Sequence, residues 1–145
     1  MGTVNFSDIV LTPLARIATA GGDVLHALKS TDAGFAGFGE AYFSWVEAGA
    51  IKAWKRHNRM TMNLVVPVGR VRFVFHGTAE QGNAAFRIEE IGEDRYARIT
   101  VPPGVWFGFQ GMGKSRNLVL NLASICHDPT EVDRKTVADI NFDWN

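Results

Sequence analysis

The feature that most constrains this chain is a series of apolar runs of strand length, each closed by glycine, proline or a polar turn. In Arg70–Phe75, Val71, Phe73 and Phe75 recur at a period of two and therefore lie on one face of an extended segment. Runs of this kind predict strands at 40–46, 50–57, 60–68, 70–76, 84–91, 96–101, 105–109 and 118–123. Many short strands separated by turns are typical of a sandwich or barrel, and we predict an all-β fold.

Composition excludes several classes of protein. The chain has 145 residues, of which 46% are hydrophobic, which is enough for a substantial core. Its 15 basic and 15 acidic residues give no net charge, which argues against a dedicated nucleic-acid binder. No run approaches the roughly 18 apolar residues of a membrane span, no secretion signal is evident, and a lone Cys126 cannot form an internal disulfide. We expect a cytoplasmic protein without nucleic-acid or membrane partners.

No repeat, linker or low-complexity tract divides the sequence, and we interpret residues 1–145 as a single domain. An N-terminal arm of about residues 1–30 precedes the first long strand. A C-terminal tail of about residues 128–145 follows the last strand and keeps apolar residues as late as Trp144. Because a disordered tail has no need of a late tryptophan, we expect the tail to pack on the barrel or on a second subunit.

Two segments resemble the sequence motifs of the cupin family. Residues 49–69 fit the spacing of the first motif, G-x5-H-x-H-x3,4-E-x6-G, and residues 102–107 resemble the second, P-x-G-x2-H. The resemblance implies a double-stranded β-helix, or jelly roll. The positions that hold the metal in metal-binding cupins are here Lys55, His57, Met62 and Phe107. Because a divalent metal needs several N, O or S donors, we expect neither a metal nor another cofactor.

Within the cupins, the chain resembles the dTDP-4-dehydrorhamnose 3,5-epimerase family of nucleotide-sugar enzymes from about residue 13 to about residue 134. The matching segments are 21–24, 38–43, 52–55, 101–104, 108–109, 122–124 and 127–131. The resemblance implies a nucleotide-sugar substrate and a homodimer. The chain departs from the family at two catalytic positions, because Lys55 replaces the family's catalytic histidine and Leu120 falls near its catalytic tyrosine.

The chemistry of such epimerases is the removal of a proton beside a ketone and its return to the other face, which requires a base and an enolate stabiliser. Period two places Lys55 and His57 on one face of their strand. If that face lines the barrel, Met62 and Phe107 complete an apolar cup, and burial lowers the pKa of both basic groups. Neutral His57 then acts as the base, and Lys55 as enolate stabiliser or proton donor. Alternatively, His57 is a core histidine and Lys55 reaches the barrel mouth.

Phosphate binding has two candidates. Lys52 stands where the family has a phosphate-binding arginine, although a lysine lacks bidentate geometry. Simple alternation places Lys52, Trp54 and Arg56 on the strand face opposite Lys55. Arg59, in the following turn, is the second candidate for contact with a diphosphate. The alternative for Lys52 and Arg59 is an ordinary solvated charge.

Three further residues are candidates for substrate binding. Phe38 and Glu40 fall in the stretch that resembles the family's nucleotide-binding segment, and Phe38 is a possible stacking surface for a nucleobase. Asn121 interrupts an otherwise apolar strand, where a buried amide must find partners. The alternatives are a core or dimer contact for Phe38 and a structural bridge for Asn121.

The residues and the resemblance together predict a metal-independent epimerase of a 4-keto-6-deoxy nucleotide sugar in polysaccharide or glycoside biosynthesis. One alternative is a 3,4-ketoisomerase of a similar substrate, which shares the enolate chemistry. The other is a non-catalytic cupin that binds a nucleotide sugar or carbohydrate, and the missing catalytic histidine and tyrosine favour it.

Overall fold

The structure of the protein is a computed structural model that describes residues 6–78 and 84–145. Within these ranges the strands are β1 (Val10–Pro13), β2 (Arg16–Ile17), β3 (Val24–Leu25), β4 (Glu40–Val46), β5 (Ile51–His57), β6 (Met62–Val68), β7 (Arg70–Thr78), β8 (Ala84–Gly92), β9 (Ala97–Val101), β10 (Trp106–Gly111), β11 (Asn117–Ala123) and β12 (Val132–Arg134). Three short 3-10 helices are η1 (Phe6–Asp8), η2 (Pro129–Glu131) and η3 (Val137–Asp139).

Two five-stranded antiparallel sheets face each other. The first has the order β1-β9-β6-β11-β4 and the second the order β12-β5-β10-β7-β8, while β2 and β3 form a separate small hairpin. Every strand predicted from the apolar runs is confirmed, with boundaries that differ by at most two residues. The predicted all-β jelly roll is therefore confirmed. The sequence did not predict β1, β2, β3 and β12, because they are too short to show a periodic pattern.

The main core fills the space between the two sheets. Val71, Phe73 and Phe75 of β7 have no exposed surface and belong to this core. Leu64 of β6 and Ile99 of β9 belong to it from the first sheet. The period of two in β7 thus places Val71, Phe73 and Phe75 in the interior.

The other face of the second sheet is covered by the C-terminal tail. Val74 of β7 is buried in a second apolar cluster with Trp54, Ile140 and Trp144. The rings of Trp54 and Trp144 lie 5.3 Å apart, and Phe142 packs edge-on against Trp144. Strand β12 pairs with β5 and thereby fixes the start of the tail. The second sheet is consequently buried on both faces along much of its length.

Candidate active site

A cavity of about 320 Å³ lies where the two five-stranded sheets and the tail meet. Its described lining residues are Ser44 and Asn121 from the first sheet, residues 52–55, Phe107 and Phe109 from the second, and Arg134 and Lys135 from the tail. The volume is in the range of small-molecule sites, which are concave and combine apolar walls with a few polar groups.

A β-bulge in β5 determines which of its side chains reach this cavity. Strand β10 pairs Phe107 with Lys55 but Phe109 with Lys52, so β5 carries one extra residue between these two pairs. The extra residue shifts the alternation, and Lys52 and Lys55 both line the cavity. The prediction that Lys52 lies on the face opposite Lys55 is therefore wrong, because simple alternation assumes an uninterrupted ladder.

The cavity is strongly positive. Among the described residues that line it, four are cations (Lys52, Lys55, Arg134 and Lys135) and none is a carboxylate. Lys52, Arg134 and Lys135 are exposed at the surface, whereas Lys55 is half-buried. The ammonium of Lys52 donates to the backbone oxygen of Trp45 at 2.9 Å. Such a group of cations, with no anion among them, favours an anionic ligand.

Lys55 is the most deeply placed of these cations. Burial lowers the pKa of its amine, and the positive charges of Arg134 and Lys52 lower that pKa further. Its Nζ lies 5.6 Å from the centroid of the Phe107 ring. Within the described part of the chain, no carboxylate pairs with this Nζ and no acceptor is hydrogen-bonded to it. Lys55 is thus an amine whose environment favours the neutral form.

A buried histidine–carboxylate pair lies beside the cavity. His57 Nδ1 and Glu131 Oε2 are 2.5 Å apart, and the two residues are 7% and 2% exposed. The other carboxylate oxygen of Glu131 accepts the backbone N–H groups of Arg59 and Met60 at 3.0 and 2.9 Å. Burial alone raises the pKa of Glu131, but the hydrogen bonds from His57 and the two backbone groups outweigh it and lower that pKa. Glu131 is therefore ionised at neutral pH.

The environment of His57 favours a neutral imidazole. Burial lowers the pKa of His57, the hydrogen bond to Glu131 opposes this, and the charge of Lys55 lowers the pKa again. Because the ionised carboxylate of Glu131 can only accept a hydrogen bond, we assign the ring proton to Nδ1 as the donor and the lone pair to Nε2. Nε2 is buried and has no hydrogen-bond partner among the described residues. The arrangement has the form of an oriented general base.

The structure places His57 next to the cavity but not in its lining. The His57 ring lies 6.5 Å from the ring of Phe107, which does line the cavity. Met62, predicted to complete an apolar cup with Phe107, is fully buried in the main core instead. It points into the core because it pairs with Val101 and Ala123, two core residues of the first sheet, and directly paired residues lie on the same face. Phe109 is the second apolar wall of the cavity in its place.

The predicted substrate-binding residues divide into two groups. Lys52 and Asn121 line the cavity, and the Asn121 amide donates to Ser44 Oγ at 3.1 Å. Arg59 forms an exposed ion pair with Asp128 at 2.7 Å and does not line it.

Phe38 and Glu40 do not line the cavity either. The Phe38 side chain is 67% exposed, and Glu40 lies at the start of the edge strand β4. The structure therefore does not bring these two residues together with Lys55 and His57 in one chain.

Three residues of the site were missed by the sequence reasoning: Glu131, Arg134 and Lys135. All three belong to the tail, and their position depends on the pairing of β12 with β5, which aligns Val132 with His57 and Arg134 with Lys55. A three-residue strand gives no periodic signal, and its partner lies more than 70 residues away in sequence. Their only sequence signal is that Glu131 falls within the segment 127–131 that resembles the family.

No group of three or more His, Cys, Asp or Glu side chains is arranged to hold a metal ion in residues 6–78 and 84–145. In the same ranges, none of the helices has the length and hydrophobicity needed to cross a bilayer.

Comparison with known proteins gives relatives over most of the chain, although no family model matches it. A solved dTDP sugar isomerase from Desulfovibrio desulfuricans G20 is 36% identical, with a TM-score of 0.86, and the match covers 94% of this chain and 90% of that one. The probable low-salt glycan biosynthesis epimerase Agl13 of Haloferax volcanii is 26% identical over 112 residues, 72% of each chain. The solved dTDP-4-dehydrorhamnose 3,5-epimerase of Sulfolobus tokodaii shares the fold, with a TM-score of 0.79 at 17% identity over 97% of this chain and 85% of that one.

Proposed function

The chain belongs to the nucleotide-sugar epimerase and isomerase family of the dTDP-4-dehydrorhamnose 3,5-epimerases, and we propose that it epimerises a 4-keto-6-deoxy nucleotide sugar in glycan biosynthesis without a metal ion. The observation that supports this most strongly is that a positive cavity lies directly beside a buried, oriented histidine. A nucleotide sugar needs both features, because its diphosphate is an anion and its acidic C–H groups require a base.

The diphosphate is proposed to bind at the exposed part of the cavity. Lys52 and Arg134 are the surface cations there, and Arg134 is the one whose guanidinium offers two parallel N–H donors. The ammonium of Lys135 lies over the Trp106 ring instead, 4.6 Å from its centroid. No carboxylate among the described lining residues competes with the phosphates. The sugar then extends inward, towards Lys55 and the apolar rings of Phe107 and Phe109.

His57 is the proposed base, and Glu131 is the residue that positions it. The carboxylate fixes the ring tautomer and stabilises the imidazolium that forms when Nε2 takes up a proton. Because Nε2 is buried, this role requires a side chain of the cavity lining to move when substrate binds. Catalytic contacts commonly tighten only in the substrate complex.

Lys55 is proposed to face the keto oxygen of the sugar. It is the half-buried amine of the cavity and has no carboxylate to neutralise it among the described residues. An N–H donor at this point stabilises the negative charge that develops on the oxygen when a neighbouring proton is removed. The surrounding aromatic rings exclude water, which strengthens such an interaction.

The test is proton exchange in deuterium oxide. The protein is incubated with TDP-4-keto-6-deoxyglucose, and the C3 and C5 protons of the sugar are followed by NMR. Loss of these signals, with inversion at one of the carbons, is the expected result. Transfer of the carbonyl to C3 would identify a 3,4-ketoisomerase instead. Saturable binding with no exchange would contradict an enzymatic role on this substrate.

A second candidate function is binding without turnover. The observation that favours it is the burial of His57 Nε2, which has almost no accessible surface. In this case the cations bind the diphosphate and the His57–Glu131 pair only stabilises the fold. The exchange experiment separates the two functions, since a binding module leaves the C–H groups unchanged.

The protein is further proposed to act as a homodimer through β4. Among the described strands, β4 pairs with β11 only, and it exposes Phe43 and Trp45 by 63% and 44%. An uncovered edge with large aromatic side chains favours association with a second copy. Phe38 and Glu40 lie beside this edge, so they are proposed to contact the nucleobase at the second copy's cavity. Light scattering at micromolar concentration measures the mass and tests this.

A further inference from the structure

We propose that Lys55 acts covalently, with its amine adding to the ketone carbon of the sugar to form an iminium ion during epimerisation. This inference rests on the proposed function, because it concerns the same keto sugar in the same cavity. It assigns to Lys55 a chemical step that differs from hydrogen bonding to an enolate.

The position of Lys55 supports a nucleophilic role. Its amine lies at the half-buried wall of the cavity, 5.6 Å from the Phe107 ring centroid, and among the described residues no oxygen acceptor is bonded to it. By contrast, Lys52 is exposed, and its ammonium is already bonded to the Trp45 backbone oxygen. Among the described residues, no carboxylate or carbonyl oxygen therefore stabilises the protonated form of Lys55 by direct contact.

The charges around Lys55 also support this role. Burial and the nearby cations Arg134 and Lys52 lower the pKa of Lys55, so a larger share of the amine is neutral at physiological pH. A lysine becomes a nucleophile towards carbonyl carbons when it is desolvated or placed next to another cation. Both conditions hold at this position.

The proposed step balances without any added reagent. The Nζ lone pair attacks C4, the C4–O bond breaks after the oxygen takes up protons, and water leaves as the C=N bond forms. The cationic nitrogen withdraws electrons from C3 and C5, so that His57 Nε2 removes a proton from one of these carbons and a neutral enamine results. A water molecule reprotonates the carbon on the opposite face, and the hydroxide that results takes the proton from His57. Hydrolysis of the iminium ion by a second water then returns the 4-ketone and free Lys55.

An enamine requires fewer polar groups in the site than an enolate does. The family's catalytic tyrosine position falls near Leu120, and no tyrosine is among the described residues that line the cavity. An enolate oxygen needs a strong donor, whereas the enamine intermediate is neutral and requires none. A lysine in place of the family's histidine therefore removes the need for a donor to an enolate oxygen, while water supplies the proton on the opposite face.

The experiment traps the iminium ion. The protein is incubated with TDP-4-keto-6-deoxyglucose and cyanoborohydride, which reduces an iminium ion but not a ketone at neutral pH, and proton exchange is followed in a parallel sample in deuterium oxide. The expected result is one stable adduct, with the mass of substrate minus one oxygen, mapped by peptide mass spectrometry to Lys55. The Lys55→Arg variant keeps the charge and loses both the adduct and at least about a hundredfold in exchange rate. The exposed Lys114→Arg variant is the matched control and retains both.

The outcomes separate this inference from the proposed function. Exchange without an adduct, an adduct on a lysine other than Lys55, or wild-type exchange by Lys55→Arg overturns the covalent step and leaves the epimerase proposal intact. Absence of both exchange and adduct overturns both proposals for this substrate. An adduct that persists in His57→Gln, where exchange is lost, supports the covalent step independently of the base. The melting temperature of each variant shows that it is folded.

Discussion

The cavity wall and the buried pair beside it differ in how their charges are compensated. Lys55 and His57 are two residues apart on β5, yet no described carboxylate forms an ion pair with Lys55, whereas Glu131 binds His57 and two backbone N–H groups. A site that leaves cations uncompensated is adapted to an incoming anion. A site that satisfies its polar groups internally holds one side chain in a fixed orientation. Neighbouring positions of one strand thus have separate roles: Lys55 is available to bind a ligand, and His57 is held in position by Glu131.

The largest effect on stability is expected from the buried pair. Glu131→Ala leaves His57 Nδ1 and two backbone N–H groups without their acceptor, and we expect a loss of about 3–5 kcal/mol in the free energy of unfolding. Urea denaturation measures it. Because the pKa of Glu131 is lowered, its contribution is present above pH 4.5 and is lost as the pH falls through the folded-state pKa. The difference in the free energy of unfolding between wild type and Glu131→Ala therefore decreases at acidic pH.

Glu90→Ala is the matched control for this variant. Glu90 forms a 3.1 Å ion pair with Arg70, whose side chain is 50% exposed, and we expect a loss of less than about 1 kcal/mol. If Glu90→Ala and Glu131→Ala lost equal free energy of unfolding, the His57–Glu131 pair would stabilise the protein no more than a surface ion pair does.

A smaller effect is expected from the cavity wall, and on binding rather than stability. Arg134→Ala removes one diphosphate donor and should weaken TDP binding by about tenfold, or about 1.4 kcal/mol. Isothermal titration calorimetry measures the affinity, with Lys114→Ala, which lies outside this cavity, as the control. Unchanged affinity in Arg134→Ala would show that the diphosphate does not bind at this cavity.

The smallest expected effect is a gain in stability. Lys55→Met replaces a desolvated amine with an apolar side chain of similar length, and we expect about 1 kcal/mol more stability at neutral pH. Since the pKa of Lys55 is lowered, the unfolded chain binds its proton more tightly, and wild-type stability rises with pH between the folded-state pKa and 10.5. The extra stability of Lys55→Met over wild type should therefore decrease as the pH rises through this range. Thermal unfolding of both proteins as a function of pH checks this, and a less stable variant would contradict the account of Lys55.

Much of the fold was predictable from the sequence, because the period of two in β7 and the apolar runs bounded by glycine indicate the strands of the two sheets. The candidate site was predictable only in part. The bulge that brings Lys52 beside Lys55 depends on the pairing of β5 with β10. One extra residue in so short a segment produces no recognisable change in the sequence pattern. Glu131 and Arg134 reach the site through β12, a strand too short to recognise. Local patterns therefore identified the strands, while long-range pairing determined which side chains meet.

The most direct test of the central claim, that His57 is the base for a sugar bound at the adjacent cavity, is the exchange rate of the His57→Gln variant. We predict that His57→Gln exchanges the C3 or C5 proton of TDP-4-keto-6-deoxyglucose at least about a hundredfold more slowly than wild type while it binds TDP with unchanged affinity. The exposed His127→Gln variant should exchange at the wild-type rate. Wild-type exchange by His57→Gln would contradict the claim.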